Sequence, residues 1–198
     1  MQSNPFSTRF IRPGAIPFLF GPDECLESLI ERLRAADWWG QIIGPHGSGK
    51  STLLAAIVPA LEADGRQVVS VTLRQGEHRL PRLDHPIMSA STQLVMDGYE
   101  QLSWWSRRRI KSLCRRHGAG LLVTAHTDVG LPLVYETKSS QELATAVVRQ
   151  LIGENGASIT ADDVRSAYAA AGGDIRETLF RLYDIYQQPS PRAQNNAH

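Results

Sequence analysis

The chain has 198 residues, enough for one sizeable hydrophobic core, and its 42% hydrophobic and 21% charged residues are ordinary for a soluble globular protein. A formal net charge of +1 excludes a global electrostatic attraction to nucleic acid or membranes, so any such partner needs a local patch. No apolar run is long enough to span a bilayer and no secretory signal is recognisable, so we expect no membrane insertion and a cytoplasmic location.

The beginning of the chain predicts an arm, a helix and a strand. Residues 1–22 hold closely spaced prolines and aromatic residues, which predict an extended N-terminal arm that packs on the core. Residues 24–36 place apolar side chains at helical spacing and predict the first helix. Residues 39–43 form a short apolar run, which predicts a buried strand.

The next residues, 44–51, read Gly-Pro-His-Gly-Ser-Gly-Lys-Ser and fit the pattern G-x-x-x-x-G-K-[ST] of the phosphate-binding P-loop. Glycine lets such a loop turn its N–H groups inward as an anion nest, and the helix predicted for residues 52–63 would point its positive end at the same phosphates. Lys50 would reach the β- and γ-phosphates, and the Ser51 hydroxyl would ligate Mg²⁺. Pro59 predicts a kink or an early end of that helix. The expected phosphate-binding residues are Gly44, Pro45, His46, Gly47, Ser48, Gly49, Lys50, Ser51 and Thr52.

Four further strands alternate with helical segments after the P-loop helix. This alternation predicts an α/β fold with a five-stranded, mostly parallel sheet sandwiched by helices. Pro132 favours an edge position for the last strand. The predicted strands are residues 67–73, 93–96, 121–125 and 131–137, with an irregular segment at 75–91 and a helix at 101–117 whose Leu102, Trp105, Ile110 and Leu113 would share the inward side.

Strand patterns end at residue 138. Helical patterns follow at residues 141–152, 160–170 and 174–186. The expected organisation is therefore an arm at 1–22, a core at 23–137, a helical segment at 138–187 and a disordered tail at 188–198.

Asp97 follows the third predicted strand, where P-loop proteins place an acidic residue that completes the Mg²⁺ shell through water. The alternative is an aspartate that initiates a turn before Gly98. Hydrolysis also needs a group that orients and deprotonates the attacking water. The nearest glutamate, Glu100, would either be returned toward the γ-phosphate by a turn or begin the next helix, where an acidic residue suits the dipole. Glu77 is a weaker candidate.

Polar residues near the fourth strand and the last helix complete the candidate site. Thr124 and His126 would contact the γ-phosphate or the attacking water from the end of the strand, and the alternative for His126 is a cap on the turn before Asp128. Arg176 stands in the first turn of the last helix, where its guanidinium would clamp phosphates in a bidentate manner or lie in solvent.

These features together resemble the AAA+ ATPases and their close P-loop relatives, over about residues 18–187. The resemblance implies a P-loop NTPase fold with strand order 5-1-4-3-2, binding of ATP and Mg²⁺, and a small helical lid formed by residues 138–187. It places residues 12–21 near the adenine. In the terms of that family, Asp97 is the Walker B residue, Thr124 or His126 takes the sensor 1 position, and Arg176 is the sensor 2 residue.

Two departures from the family pattern bear on mechanism. Gly98 stands where these ATPases carry a glutamate after the Walker B aspartate. The connection at residues 127–130, between the fourth and fifth strands, holds no arginine that would act on a neighbouring subunit, which argues against a ring-shaped motor. The ABC transporter signature is also absent from residues 86–91, ahead of Asp97.

The helix at 101–117 is strongly basic. Trp104, Arg108, Lys111 and Arg115 stand at spacings that align them along one side. Such a side would bind nucleic acid or an acidic protein, or it is a solvated face with cations favoured by the helix dipole. The basic residues of this segment are Arg107, Arg108, Arg109, Lys111, Arg115 and Arg116.

Three functions stay open at this point. The first is an Mg-ATP-binding, AAA+-like ATPase with Glu100 as the best available base. The second is an ATP-dependent switch or adaptor with little hydrolysis, in which ATP repositions residues 138–187 and exposes a surface for a protein partner. The third is a small-molecule kinase with a substrate pocket from residues 74–85. The absence of an Asn-Lys-x-Asp guanine signature favours ATP over GTP, and the oligomeric state is open.

Overall fold

The computed structural model describes residues 4–74, 76, 88–153 and 159–187. The strands are β1 (Trp39–Ile43), β2 (Gln67–Thr72), β3 (Thr92–Asp97), β4 (Gly120–Ala125) and β5 (Leu133–Glu136). The helices are α1 (Thr8–Ile11), α2 (Leu26–Ala35), α3 (Lys50–Ala63), α4 (Trp104–His117), α5 (Gln141–Ile152), α6 (Ala161–Ala170) and α7 (Ile175–Gln187), and a 3-10 turn covers Tyr99–Gln101.

The five strands form one sheet in the order β2-β3-β4-β1-β5, and every pairing is parallel. The predicted fold class and the strand order implied by the resemblance are therefore both confirmed. The strand that follows Pro132 lies at an edge, as expected, because proline donates no ladder hydrogen bond.

The chain divides into two compact units. Among the described residues, the helical unit contains 4–19, 45–49, 138–153 and 159–187, and the sheet unit contains 20–44, 50–74, 76 and 88–137. The domain boundaries expected from the sequence stay predictions, and the expected tail at 188–198 lies outside the described residues. No helix of the described ranges combines the length and the apolar character that crossing a bilayer requires.

The core of the sheet unit is built on its two central strands. In β3 and β4, Leu94 pairs with Leu121 and Met96 with Val123, and all four side chains are fully buried. Strands buried on both faces read as continuous apolar runs, which explains the sequence pattern.

In α3 the chain stays helical past Pro59 to Ala63, so the early end considered for this helix is wrong.

The helix α4 begins three residues later than the sequence predicted. Leu102 lies before the helix and is buried, Ile110 is buried within it, and Leu113 is half-buried. The expectation that Trp105 faces inward is wrong, since 74% of its surface is exposed. At about 100° per residue, Trp105 lies about 140° around the helix from Ile110, so the two cannot share a face.

The helical unit packs α5, α6 and α7 around a separate core with part of the N-terminal arm. Phe6 is fully buried in this core, with its ring edge-to-face against Tyr186 at 6.1 Å between centroids. Its burial contributes about 2–3 kcal/mol. The arm is not extended throughout, because residues 8–11 form one helical turn between Pro5 and Pro13.

Candidate functional site

The P-loop motif connects β1 to α3, as the sequence predicted. Gly44, Gly47 and Gly49 all have positive φ angles, of 150°, 65° and 92°. Within the loop, Ser48 Oγ donates to the Pro45 carbonyl at 2.7 Å. The backbone therefore adopts the turn geometry for which the motif carries glycine.

Lys50 begins α3 and is 9% exposed. Its Nζ donates to the Gly44 carbonyl at 2.6 Å and lies 3.3 Å from His126 Nδ1. The Gly44 N–H in turn donates to the Ala125 carbonyl at 3.3 Å, where β4 ends. These contacts bring the ammonium group to the carboxyl ends of β1 and β4, which is where parallel α/β sheets bind their ligands.

Asp97 and Thr124 form a short hydrogen-bonded pair at the carboxyl ends of β3 and β4. Thr124 Oγ1 donates to Asp97 Oδ1 at 2.6 Å, and the same hydroxyl accepts the Gly98 N–H at 2.9 Å. Thr124 is 1% exposed, so both bonds lie in a site of low solvent access. The structure directs the hydrogen of this hydroxyl at Asp97, and the expected contact with phosphate or the attacking water stays a prediction. The immediate action of the hydroxyl is to orient the carboxylate.

The 3-10 turn after β3 returns Glu100 to the end of β4. Gly98 takes a left-handed conformation with φ of 82°, and a Cβ there would lie 2.7 Å from the Leu73 carbonyl oxygen, so only glycine fits. The cap of α4 is Ser103, so Glu100 belongs to the turn and not to the helix. Glu100 therefore lies in the turn beside His126, and its approach to the γ-phosphate stays a prediction.

Glu100 and His126 form a side-chain contact that the sequence did not predict. Glu100 Oε1 lies 3.0 Å from His126 Nε2, and the two side chains are 23% and 28% exposed. Glu100 Oε2 is buried, and it has no hydrogen-bond partner among the described residues. When His126 carries its hydrogen on Nε2, that nitrogen donates to Glu100 and Nδ1 accepts from Lys50. When Nδ1 carries a hydrogen, this hydrogen faces the Gly44 carbonyl oxygen, which lies 3.3 Å from Nδ1. His126 thus links the P-loop lysine to the candidate base.

In the helical unit, Asp174 lies against the part of the P-loop that belongs to that unit. Its Oδ1 accepts the Glu177 N–H at 2.9 Å and caps α7. A Cβ on Gly47 would overlap the same carboxylate. This role of Asp174 is not predicted from the sequence. A Gly-Gly-Asp run before a helix indicates a cap, but nothing local in it indicates Gly47.

Two other predicted residues of the helical unit are placed by the structure. Phe18, which the resemblance puts near the adenine, would be 3.3 Å from a Cβ on Gly49. Arg176 is exposed on the first turn of α7, with its guanidinium 5.8 Å from the centre of the Phe180 ring. Its proposed contact with phosphate stays a prediction. Glu77 and residues 78–85 lie outside the described residues.

The oxygen donors at the strand ends suit Mg²⁺. This ion is typically held by one or two carboxylates together with substrate phosphates and water, and Asp97 with the Ser51 hydroxyl would supply such a set. In the described ranges no group of three or more His, Cys, Asp or Glu side chains could form a closed metal cage. The residues present therefore fit a cation whose shell is completed by phosphate and water.

Comparison with known proteins gives a fold. The crystal structure of Cdc6p from Pyrobaculum aerophilum matches 91% of this chain with a TM-score of 0.65 and 12% sequence identity. The chain spans 65% of the length of that structure. No protein-family model and no curated protein matches the chain. At this identity the likeness establishes the fold alone, which is that of a P-loop NTPase similar to Cdc6p.

Proposed function

We propose that this chain, which has the P-loop NTPase fold, binds Mg-ATP through residues 44–52 and hydrolyses it in the manner of an AAA+-like ATPase. One observation carries the proposal. Lys50, His126 and Glu100 form a connected set, with contacts of 3.3 and 3.0 Å, beside the P-loop. Nucleotide hydrolysis needs a phosphate-binding loop, a cation that meets the phosphates and a base that acts on water. The P-loop, Lys50 and Glu100 would supply these three components.

In this proposal Lys50 neutralises the β- and γ-phosphates, and Ser51 and Asp97 hold Mg²⁺. A cation held by these residues would supply positive charge that stabilises the phosphates. Thr124 fixes the orientation of Asp97, since its hydroxyl donates a 2.6 Å hydrogen bond to that carboxylate. Arg176 would contact the phosphates as the lid arginine, and the missing guanine signature supports ATP as the nucleotide.

Glu100 is the proposed general base. It stands three residues after Asp97. In this proposal it takes the role of the glutamate that AAA+ ATPases carry directly after the Walker B aspartate, where this chain has Gly98. Two observations support the assignment. Oε1 is held by His126 at 3.0 Å, and Oε2 is a buried acceptor with no hydrogen-bond partner among the described residues. A buried, unpaired acceptor is costly unless a water or ligand meets it, so Oε2 is suited to accept from an attacking water.

The second candidate is an ATP-dependent switch or adaptor with little hydrolysis. The Glu100–His126 contact also favours it, because a carboxylate held by an imidazole is withheld from water until that contact opens. In this case ATP binding would change a surface for a protein partner rather than lead to rapid turnover. A small-molecule kinase stays the least supported alternative, because most of its expected pocket lies outside the described residues.

The test is phosphate release from Mg-ATP by the full chain, with nucleotide affinity measured separately by a fluorescent ATP analogue. We expect Lys50→Ala to lose tight binding and Glu100→Gln to keep binding while losing release. Glu62→Gln, a neutralised glutamate on the exposed side of α3, is the matched control and should behave as the wild type. Tight binding by Lys50→Ala would refute the nucleotide site. Binding without release by the wild-type chain would favour the switch.

A further inference from the structure

The helix α4 presents a solvent-facing side that is both aromatic and basic. At about 100° per residue, its exposed side chains occupy an arc of about 140°, on the side opposite the buried Ile110 and Cys114. Apart from one serine, every residue on this arc is a tryptophan or an arginine. The exposed residues of this α4 face are Trp104, Trp105, Arg108, Arg109, Arg115 and Arg116.

The other two cations of the helix are occupied with the protein itself. Arg107 donates to the carbonyls of Leu102 and Glu100 at 2.9 and 2.7 Å, and Lys111 donates to the Val129 carbonyl at 3.2 Å. The four arginines of the α4 face are exposed, and residues 101–117 contain no aspartate or glutamate. The outward side of α4 therefore carries four positive charges without acidic residues of its own to balance them.

The two tryptophans are unusually open to solvent. Trp104 is 61% and Trp105 74% exposed, and their rings lie edge-to-face at 4.6 Å between centroids. The guanidinium carbon of Arg108 lies 5.7 Å from the centre of the Trp104 ring, and that of Arg115 lies 5.3 Å from the centre of the Trp39 ring. Exposed tryptophans are rare and typical of binding surfaces, because one side of the ring gains from being covered.

A purely structural account explains only part of this arrangement. Cations in the last turn of a helix are favoured by its dipole, which accounts for Arg115 and Arg116. The dipole does not account for Arg108 and Arg109 in the middle of the helix, nor for two exposed indoles in its first turn. A partner with spaced negative charges and flat aromatic groups would satisfy all six side chains at once.

We propose that the α4 face binds single-stranded nucleic acid, with arginines on the phosphates and the tryptophans stacked on bases. From Trp104 to Arg116 the helix is about 18 Å long, which is enough for a few successive nucleotides of one strand. Stacking on tryptophan is tolerant of sequence because every base has a flat face. The proposal does not depend on the nucleotide site, since it rests on α4 alone.

Four phosphate contacts give a quantitative expectation. The logarithm of the binding constant should fall with the logarithm of salt concentration with a slope of about −2.8, from about −0.7 for each contact with a single strand. Reversal of two charges in Arg108→Glu/Arg115→Glu should make the slope shallower, from about −2.8 to a magnitude of about 1.4 or less. The same double substitution should weaken binding at least about tenfold. Loss of both rings in Trp104→Ala/Trp105→Ala should weaken binding at least about fivefold per stacked base, with little change in slope.

The experiment uses the full chain with fluorescein-labelled dT20 and rU20, followed by anisotropy at several salt concentrations and by quenching of intrinsic tryptophan emission. The two oligonucleotides distinguish DNA from RNA as the source of the strand. The matched control is Arg149→Glu/Arg165→Glu, which reverses two exposed arginines on α5 and α6 and changes the net charge by the same amount.

Salt-dependent binding to either strand, with quenching that disappears in Trp104→Ala/Trp105→Ala and affinity that survives in the control, supports the proposal. Binding that is lost equally in the control variant overturns it, since the effect is then one of net charge. Equal competition by polyglutamate also overturns it, because an acidic protein would then fit the α4 face as well as a nucleic acid. No binding of either strand at low salt overturns it too.

Discussion

Replacing Thr124 by valine tests the arrangement of the candidate metal site with almost no change of shape. Valine keeps the volume of threonine but removes both the 2.6 Å hydrogen bond to Asp97 and the acceptor for the Gly98 N–H at 2.9 Å. Because the side chain is 1% exposed, water does not simply replace these bonds. A hydrogen bond to a charged group contributes about 1.5–3 kcal/mol, and an orphaned donor adds to the loss, so we expect the free energy of unfolding to fall by about 2–4 kcal/mol.

The assay is urea unfolding of the Thr124→Val chain, followed by circular dichroism in the absence of nucleotide. Thr124→Ser is the matched control, since it keeps the hydroxyl and removes one methyl group, and it should cost only about 1 kcal/mol. A second measurement, Mg²⁺-dependent nucleotide affinity, should weaken for valine and not for serine if Asp97 holds the cation. A valine variant within about 0.5 kcal/mol of the wild-type unfolding free energy would refute the argument that this pair is a strong buried hydrogen bond.

Three further predictions concern groups whose surroundings are given by the structure. Gly47→Ala should lower the unfolding free energy by at least about 1 kcal/mol, because φ is 65° and the new Cβ would overlap the Asp174 carboxylate. In an Asp174→Ala background the same substitution should cost less, which a double-mutant cycle measures. Burial raises the pKa of the Cys114 thiol to about 11, so at pH 8 only the exposed Cys25 should react with Ellman's reagent until urea is added. Burial raises the pKa of Tyr99 to about 12 from 10.0, so the folded state binds more protons and the unfolding free energy should fall as pH rises between these values. A Tyr99→Phe chain titrated over that range should show a shallower fall, and an unchanged slope would contradict the assignment.

The sheet and the P-loop were predictable because their signals are local. A strand buried on both faces is a continuous apolar run, and a loop that wraps phosphate needs glycine at fixed spacing, so both can be recognised in a few neighbouring residues. The parallel sheet follows from the alternation of strands and helices along the chain. The order of the strands came from the family resemblance, since no local pattern contains it.

The error at Trp105 shows where such local reasoning stops. The apolar spacing predicts a helix that includes Leu102, whereas a 3-10 turn and the Ser103 cap delay the start of α4 to Trp104. Without Leu102, the inward side is set by the buried Ile110 and Cys114, which lie about 140° and 180° around the helix from Trp105. The consequence is large, because the misplaced side chain belongs to the α4 face.

The sequence by itself determined that this chain has a P-loop on a parallel sheet, and it named Lys50, Asp97 and Glu100 as candidates for its chemistry. Only the tertiary structure decided that Thr124 donates to Asp97 and that His126 joins Glu100 to Lys50. These contacts connect residues 26 to 76 positions apart. They exist because the sheet aligns the carboxyl ends of β1, β3 and β4 and because Gly98 turns the chain back. The sequence left that turn open as one of two placements for Glu100, and no local pattern shows which strand ends meet.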